Sequence, residues 1–126
     1  MTTYLAKLVG NHFRESGRLI LPVLSEGTAL ILEPEPDNPH DPDAIKVCVD
    51  LFGHEFNKDP TQHLVIHLGY IPRSRNNNFG TLEVLNIIRQ PNWSAELTFD
   101  MAGMPLVRID TNPCSPFGRA VQLGTY

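Results

Sequence analysis

A proline-rich loop that runs directly into a strand decides the fold, and it reads EPEPDNPHDPDAIKVCVDL (residues 33–51). Residues 34–43 contain four prolines, which exclude a helix and a centrally paired strand. A residue that precedes proline favours extended or turn geometry, so this part predicts a stiff, exposed loop. Residues 45–51 alternate apolar and polar side chains, which predicts a half-buried strand. We expect one face to carry Ile45, Val47, Val49 and Leu51, and the other face to carry Lys46, Cys48 and Asp50.

Strand patterns also dominate on both sides of this stretch. They predict strands over residues 4–10, 28–33, 64–71, 93–101 and 106–110, a polar turn over 13–17 and a polar connection over 52–63. Residues 18–24 are apolar but interrupted by Pro22, so they fit either a strand or a short helix.

One helix is predicted within residues 77–90, where apolar side chains recur at helical spacing. Either Asn77 or Asn78 is expected to cap its start, and Pro91 to stop it. The stripe consists of Phe79, Leu82, Val84, Leu85, Ile87 and Ile88.

The length of 126 residues fits a single domain, with a core over about residues 4–110 and an irregular tail over 111–126. Eleven prolines and nine glycines favour turns and strands over a helical bundle. The order of the elements therefore predicts a mainly β chain with one or two short helices, built as a small OB-like or SH3-like β-barrel.

Charge and cysteine content exclude several classes of protein. The formal charge of −4 argues against a broad cationic surface for nucleic acid, although it permits a local basic site. Two cysteines make no disulfide framework, and with no signal peptide pattern we expect a cytoplasmic protein. No apolar run approaches ~18 residues, so no membrane span is expected.

The motif series resembles the HIRAN domain family. The series consists of EPDNPHDPDAIKV (residues 35–47), a following strand, and GYIPR (residues 69–73), preceded by VGNHF (residues 9–13). HIRAN domains adopt a modified OB-like barrel, occur in DNA-remodelling helicases and as short bacterial or phage proteins, and bind 3′ ends of single-stranded DNA. The resemblance therefore implies a non-enzymatic, DNA-repair type of module without a cofactor, whose partners are single-stranded DNA 3′ ends.

The same resemblance implies a set of site residues. Phe13 and His40 fall where two aromatic residues sandwich the terminal base, and Asp41 falls on an acid that accepts a hydrogen bond from the 3′-hydroxyl. Contacts to phosphates and the neighbouring sugar fall on His12, Tyr70 and Arg73, with help from Arg75, and the end nucleotide is held by Asn38.

Three positions depart from the helicase version of the family. His40 stands for a tyrosine, Tyr70 for a histidine and His12 for an arginine. Phosphate contact would then rest mostly on Arg73 and Arg75, so we expect weak and salt-sensitive binding.

Other interpretations of these residues remain open. Asp41 and its polar neighbours in the loop also suit the capping of turns. A zinc site from Cys48 and histidines 54, 63 and 67 is disfavoured because residues four apart in a strand lie ~13 Å apart, and a calcium loop lacks its glycine. No sequence motif indicates catalysis. The alternative function is a protein-binding phage or mobile-element factor that presents an acidic surface to a host nuclease or helicase.

Overall fold

The computed structural model describes residues 2–10, 15–75 and 78–111 and consists of six strands and two α-helices in those ranges. Residues 12 and 13 and the tail from 112 onward, which carry part of the predicted site and most of the predicted tail, lie outside the described residues. The elements are β1 (Thr2–Lys7), α1 (Glu15–Ile20), a 3₁₀ turn (Leu21–Val23), β2 (Ile31–Pro34), β3 (Ile45–Asp50), β4 (Val65–Tyr70), α2 (Thr81–Ile88), β5 (Trp93–Phe99) and β6 (Pro105–Thr111).

The strands form two antiparallel three-stranded sheets, in the orders β1-β6-β5 and β2-β3-β4. Single bridges join the sheets at both edges, one from Val9 to Tyr70 and one from Ala29 to Glu96. The prediction of a mainly β fold with short helices is confirmed. The barrel is loose, since single bridges replace a continuous ladder at the two junctions.

The core fills the space between the sheets and is mostly apolar. Val84 of α2 is fully buried in it, which gives that helix its packing partner. The side chains without solvent exposure are Ile45, Val47, Val49, Leu68, Val84, Leu97, Val107 and Ile109.

Strand β3 departs from the predicted alternation at one residue. Cys48 was placed on the open face, but only 2% of its surface is exposed. The β3–β4 register shifts between Val47 and Cys48, and Ile31 and His67 flank Cys48 on the neighbouring strands. The second face of this sheet is therefore partly covered, which a two-residue period does not anticipate.

Helix α1 resolves the ambiguity at residues 18–24 and corrects the predicted turn at 13–17. Glu15–Gly17 belong to the helix, and the apolar segment continues it into the 3₁₀ turn at Leu21–Val23. The helix lies close to β4, because a Cβ on Gly17 would come within 2.6 Å of the His67 carbonyl oxygen. Glycine thus permits a contact with β4 that no local pattern shows.

Helix α2 begins later than the two predicted caps. Its N-cap is Gly80, so the prediction of Asn78 as the cap is wrong, and Asn77 lies outside the described residues. Within the described ranges, no helix has the length and apolar character to cross a membrane.

Candidate nucleic-acid interface

The proline loop is ordered by Asn38, which uses both its side chain and its backbone to close the turn. Its Oδ1 accepts hydrogen bonds from the backbone N–H of His40 at 2.8 Å and of Asp41 at 3.1 Å. Its own N–H donates to the Glu35 carbonyl at 3.0 Å, and its Nδ2 donates to Glu35 Oε1 at 3.1 Å. This Asx-type turn fixes His40 and Asp41 without regular secondary structure.

Glu35 anchors the loop to the sheet, and the sequence analysis did not select it. The Tyr70 hydroxyl donates to Glu35 Oε1 at 2.9 Å, and Lys46 Nζ lies 3.9 Å from Glu35 Oε2. Burial raises the pKa of Glu35, but the hydrogen bonds from Asn38 and Tyr70 and the charges of Lys46 and His67 outweigh it, so the net pKa is below its ordinary value. The ionised carboxylate is therefore the form that holds the loop on β4.

Arg73, which follows β4, contacts the loop at Asp41 and His40. Its Nε lies 3.4 Å from Asp41 Oδ2, and its Nη2 donates to the His40 carbonyl at 3.4 Å. The Asp41 side chain is 20% exposed and the Arg73 side chain 57%. The second Asp41 oxygen accepts the Asp43 N–H at 2.9 Å, so this carboxylate both caps a turn and faces a cation.

These groups surround a concave site that we name the end pocket. It has a volume of about 340 Å³ and opens between the loop and the end of β4. A carboxylate, an imidazole and a phenol ring lie on its wall, and Arg73 lies beside it. The lining residues are Asn38, His40, Asp41, Ala44, Tyr70 and Ile71.

Two short segments position Arg73, and we name residues 72–75 and 78–83 together the clip. The Ser74 hydroxyl accepts the N–H of Leu82 at 2.9 Å and donates to Glu83 Oε1 at 2.5 Å, while Glu83 Oε1 also accepts the Gly80 N–H at 2.7 Å. These bonds satisfy free N–H groups at the start of α2. Hydrogen bonds from Ser74 and Gly80 hold the pKa of Glu83 below its ordinary value.

Within the clip, the start of α2 packs closely against the backbone of residues 72–74. The Thr81 N–H donates to the Pro72 carbonyl at 3.0 Å. A Cβ on Gly80 would lie 2.5 Å from that same carbonyl oxygen and 2.8 Å from the carbonyl carbon of Arg73. The helix start therefore lies directly against the backbone that presents Arg73. Neither Ser74 nor Gly80 was selected from the sequence, since both act on a segment several residues away.

The structure brings together most of the predicted site residues. Arg75 is the exception among the described ones, because it lies in a neighbouring groove with Lys7 instead of on the end pocket wall. His12 and Phe13 lie outside the described residues, so their predicted roles stay predictions. The residues that meet around the end pocket are Asn38, His40, Asp41, Tyr70 and Arg73.

Two of the three histidines weighed as zinc ligands, His63 and His67, have other partners. His63 Nδ1 lies 2.6 Å from Asp50 Oδ2, and its ring stacks on Phe52 at 4.5 Å. His67 Nε2 lies 2.9 Å from the Gly69 carbonyl. In the described ranges no three His, Cys, Asp or Glu side chains are placed to hold a metal ion.

Comparison with known proteins identifies the family. Neither the curated proteins nor the solved structures contain a significant match to this chain. The model of the HIRAN domain, by contrast, matches residues 2–94, which include the proline loop, the end pocket and the clip. Since that match spans well over half of the 126 residues, the chain belongs to the HIRAN domain family, a family of DNA-binding domains.

Proposed function

We propose that this chain is a non-catalytic module that binds single-stranded DNA at a 3′-hydroxyl end, with the terminal nucleotide in the end pocket. The observation that carries the proposal is the pair of Asp41 and Arg73 at the edge of that pocket. A strand end offers one group for each of them, because the terminal sugar has a hydroxyl donor and the preceding linkage has an anionic phosphate.

The ion pair is weak enough to exchange partners. Its atoms are 3.4 Å apart, and more than half of the Arg73 side chain is exposed. Exposed pairs of this kind contribute only about 0–1 kcal/mol to stability. Arg73 can therefore turn toward a phosphate at little cost, which leaves Asp41 Oδ2 open to accept a bond from the 3′-hydroxyl.

The walls of the end pocket suit a base. Stacking on an aromatic face contributes about 1–3 kcal/mol per base, and His40 and Tyr70 both present rings. Tyr70 is held by Glu35 and by an edge contact with His67 at a ring distance of 4.8 Å. Because the loop is already ordered by Asn38, binding would require little further ordering.

The negative charge of the loop is partly neutralised by nearby cations, which makes a DNA partner more favourable than the count of acids in the loop suggests. Glu33 lies 3.6 Å and Glu35 lies 3.9 Å from Lys46, and Asp41 faces Arg73. Two acids of the loop and one of the strand before it thus have cationic neighbours, which reduces the negative field that would repel a DNA strand. It also reduces the acidic surface on which the protein-binding alternative depends.

Fluorescence anisotropy with 5′-labelled oligonucleotides tests the proposal. We expect the 3′-hydroxyl form to bind more tightly than the same strand with a 3′-phosphate, because Asp41 repels the added charge. Asp41→Asn should narrow this difference, and Arg73→Ala should weaken binding of both forms. The matched control is Lys58→Ala, which removes the same charge from an exposed position in the 52–63 connection.

Three results would overturn the proposal. They are equal affinity for the two ends, no binding of either, or an equal loss in the Lys58 and Arg73 variants. Absence of oligonucleotide binding together with capture of a helicase or nuclease from nuclease-treated lysate would support the protein-binding alternative instead.

A further inference from the structure

A second concave site lies on the other side of Arg73, and we name it the side groove. It has a volume of about 530 Å³ and opens between the outward face of β1 and the clip. The side groove is larger than the end pocket and differs from it in chemistry. Its lining residues are Leu5, Lys7, Val9, Pro72, Arg73, Arg75, Asn78 and Phe79.

The polar part of the side groove is cationic. It contains Lys7, Arg73 and Arg75, and none of the described residues that line it is a carboxylate. Across the described ranges, neither Lys7 nor Arg75 has an ion-pair partner, whereas Arg73 has one in Asp41. In a chain with a formal charge of −4, this gathers uncompensated positive charge in one place.

The remaining wall is apolar and held in place. Leu5 is 53% exposed and Val9 37%, although both belong to a strand region that is fixed by pairing with β6 and Tyr70. The ring of Phe79 is stacked on Tyr4, with centroids 5.3 Å apart and an angle of 13° between the planes. An ordered apolar wall beside cations is the combination that binds single strands, whose bases pack while their phosphates are neutralised.

Arg73 makes the side groove continuous with the end pocket. Its side chain lines the groove, and the same guanidinium contacts Asp41 and the His40 carbonyl at the pocket. A strand whose last nucleotide occupies the end pocket would therefore pass Arg73 and continue along Lys7 and Arg75. With the 3′ end in the pocket, the nucleotides in the groove lie on its 5′ side.

We infer that the side groove binds nucleotides that precede the terminal one, with Lys7 and Arg75 contacting their phosphates. The inference rests on the proposed function for the direction of the strand. The backbone behind Arg75 is preorganised, because Arg75 and Asn78 form a bridge with an N–H to carbonyl distance of 2.7 Å. The groove thus predicts a short binding footprint instead of capture of a lone end nucleotide.

A length series with salt titration tests the inference. The full chain is titrated with 5′-labelled strands of two, four and six nucleotides that all end in a 3′-hydroxyl. Wild type should bind the longer strands more tightly and with a steeper salt dependence. A plot of the logarithm of the binding constant against the logarithm of salt concentration has a slope of about −0.7 for each phosphate contact in a single strand. Lys7→Gln and Arg75→Gln should therefore each reduce the size of this slope by about 0.7 for the six-nucleotide strand.

The two variants should change dinucleotide affinity least, because a dinucleotide offers the groove at most one nucleotide while the end pocket is intact. A matched double control, Lys58→Gln with Arg89→Gln, removes two charges from exposed positions outside both sites. Circular dichroism melts verify that all variants fold.

The outcomes separate the two proposals. If wild type binds all lengths equally, or if the Lys7 and Arg75 variants keep the wild-type slope, the groove inference is wrong while end binding stands. If affinity rises with strand length and depends on Lys7 and Arg75, but is the same for a 3′-hydroxyl and a 3′-phosphate, the groove binds nucleic acid and the end-binding proposal is wrong. Binding of no strand rejects both.

Discussion

Replacing Gly80 by alanine should disturb the close backbone packing of α2 against the segment that presents Arg73. A Cβ at this position would lie 2.5 Å from the Pro72 carbonyl oxygen and 2.6 Å from the Ser74 nitrogen. Ordinary van der Waals contact needs about 1 Å more, and both neighbours are backbone atoms that cannot rotate away. The clip must therefore open, or the start of α2 must move.

The magnitude follows from two opposing effects. Overpacking of a tight site costs about 1–3 kcal/mol. Loss of glycine's freedom in the unfolded chain returns about 0.4–1 kcal/mol. We therefore expect Gly80→Ala to lower the free energy of unfolding by about 1–2 kcal/mol.

Urea denaturation measures this change, and anisotropy with a 3′-hydroxyl oligonucleotide measures its consequence for Arg73. Asn86→Ala is the matched control, because it adds no bulk and lies at an exposed position in the same helix. Its stability should equal or slightly exceed that of wild type, since alanine favours a helix. If Gly80→Ala keeps wild-type stability and binding, the clip is not close-packed and our account of how Arg73 is positioned is wrong.

Three further predictions concern the elements around the end pocket. Gly17→Ala should destabilise the protein by about 1–2 kcal/mol in urea denaturation, because the clash of its Cβ, 2.6 Å from the His67 carbonyl oxygen, outweighs the better helix propensity of alanine. Unchanged stability would contradict the close approach of α1 to β4. Tyr70→Phe keeps the ring but removes the hydrogen bond to Glu35, so we expect the free energy of unfolding to fall by about 0.5–1.5 kcal/mol and oligonucleotide binding to weaken. If the variant binds as wild type does, the loop does not need this anchor. The pKa of Glu35 is lowered in the folded protein, so its contribution to stability is fully present above the ordinary carboxyl pKa of about 4.3 and is lost as pH falls through the lower folded-state pKa. NMR of the loop amides against pH would detect this transition. A transition above the ordinary pKa would refute the sign of the shift.

The sequence predicted those parts of the fold that depend on local patterns. Alternation identified β3, and β4 follows it after the predicted polar connection and pairs with it in antiparallel. The helical stripe identified α2, although not its first residue. The prediction of Asn78 as the N-cap is wrong because the N–H groups at the start of α2 bond to the side chains of Ser74 and Glu83 instead. Ser74 lies on the opposite side of the clip from the helix.

Contacts between distant segments account for what local patterns missed. Gly17 reads as a turn residue, yet it lies in a helix, at a point where the close approach of β4 leaves no room for a side chain. Glu35 stands within the motif that carried the resemblance to HIRAN domains, but its role depends on Tyr70, 35 residues away in the chain. Neither relation leaves a periodic trace in the sequence.

Net charge is a poor guide to the partner of this protein because its charges are sorted in space. Five of the fourteen acids lie within residues 33–43, and Lys46 or Arg73 lies beside three of these five. Lys7 and Arg75, by contrast, have no ion-pair partner in the described part of the chain and lie together in the side groove. At ionic strengths where the Debye length is about 8–10 Å, a phosphate in the groove is influenced most by the charges nearest to it, and among the described lining residues these are Lys7, Arg73 and Arg75. A protein with an overall charge of −4 can therefore hold a short strand end, while the same overall charge disfavours non-specific binding along the length of DNA.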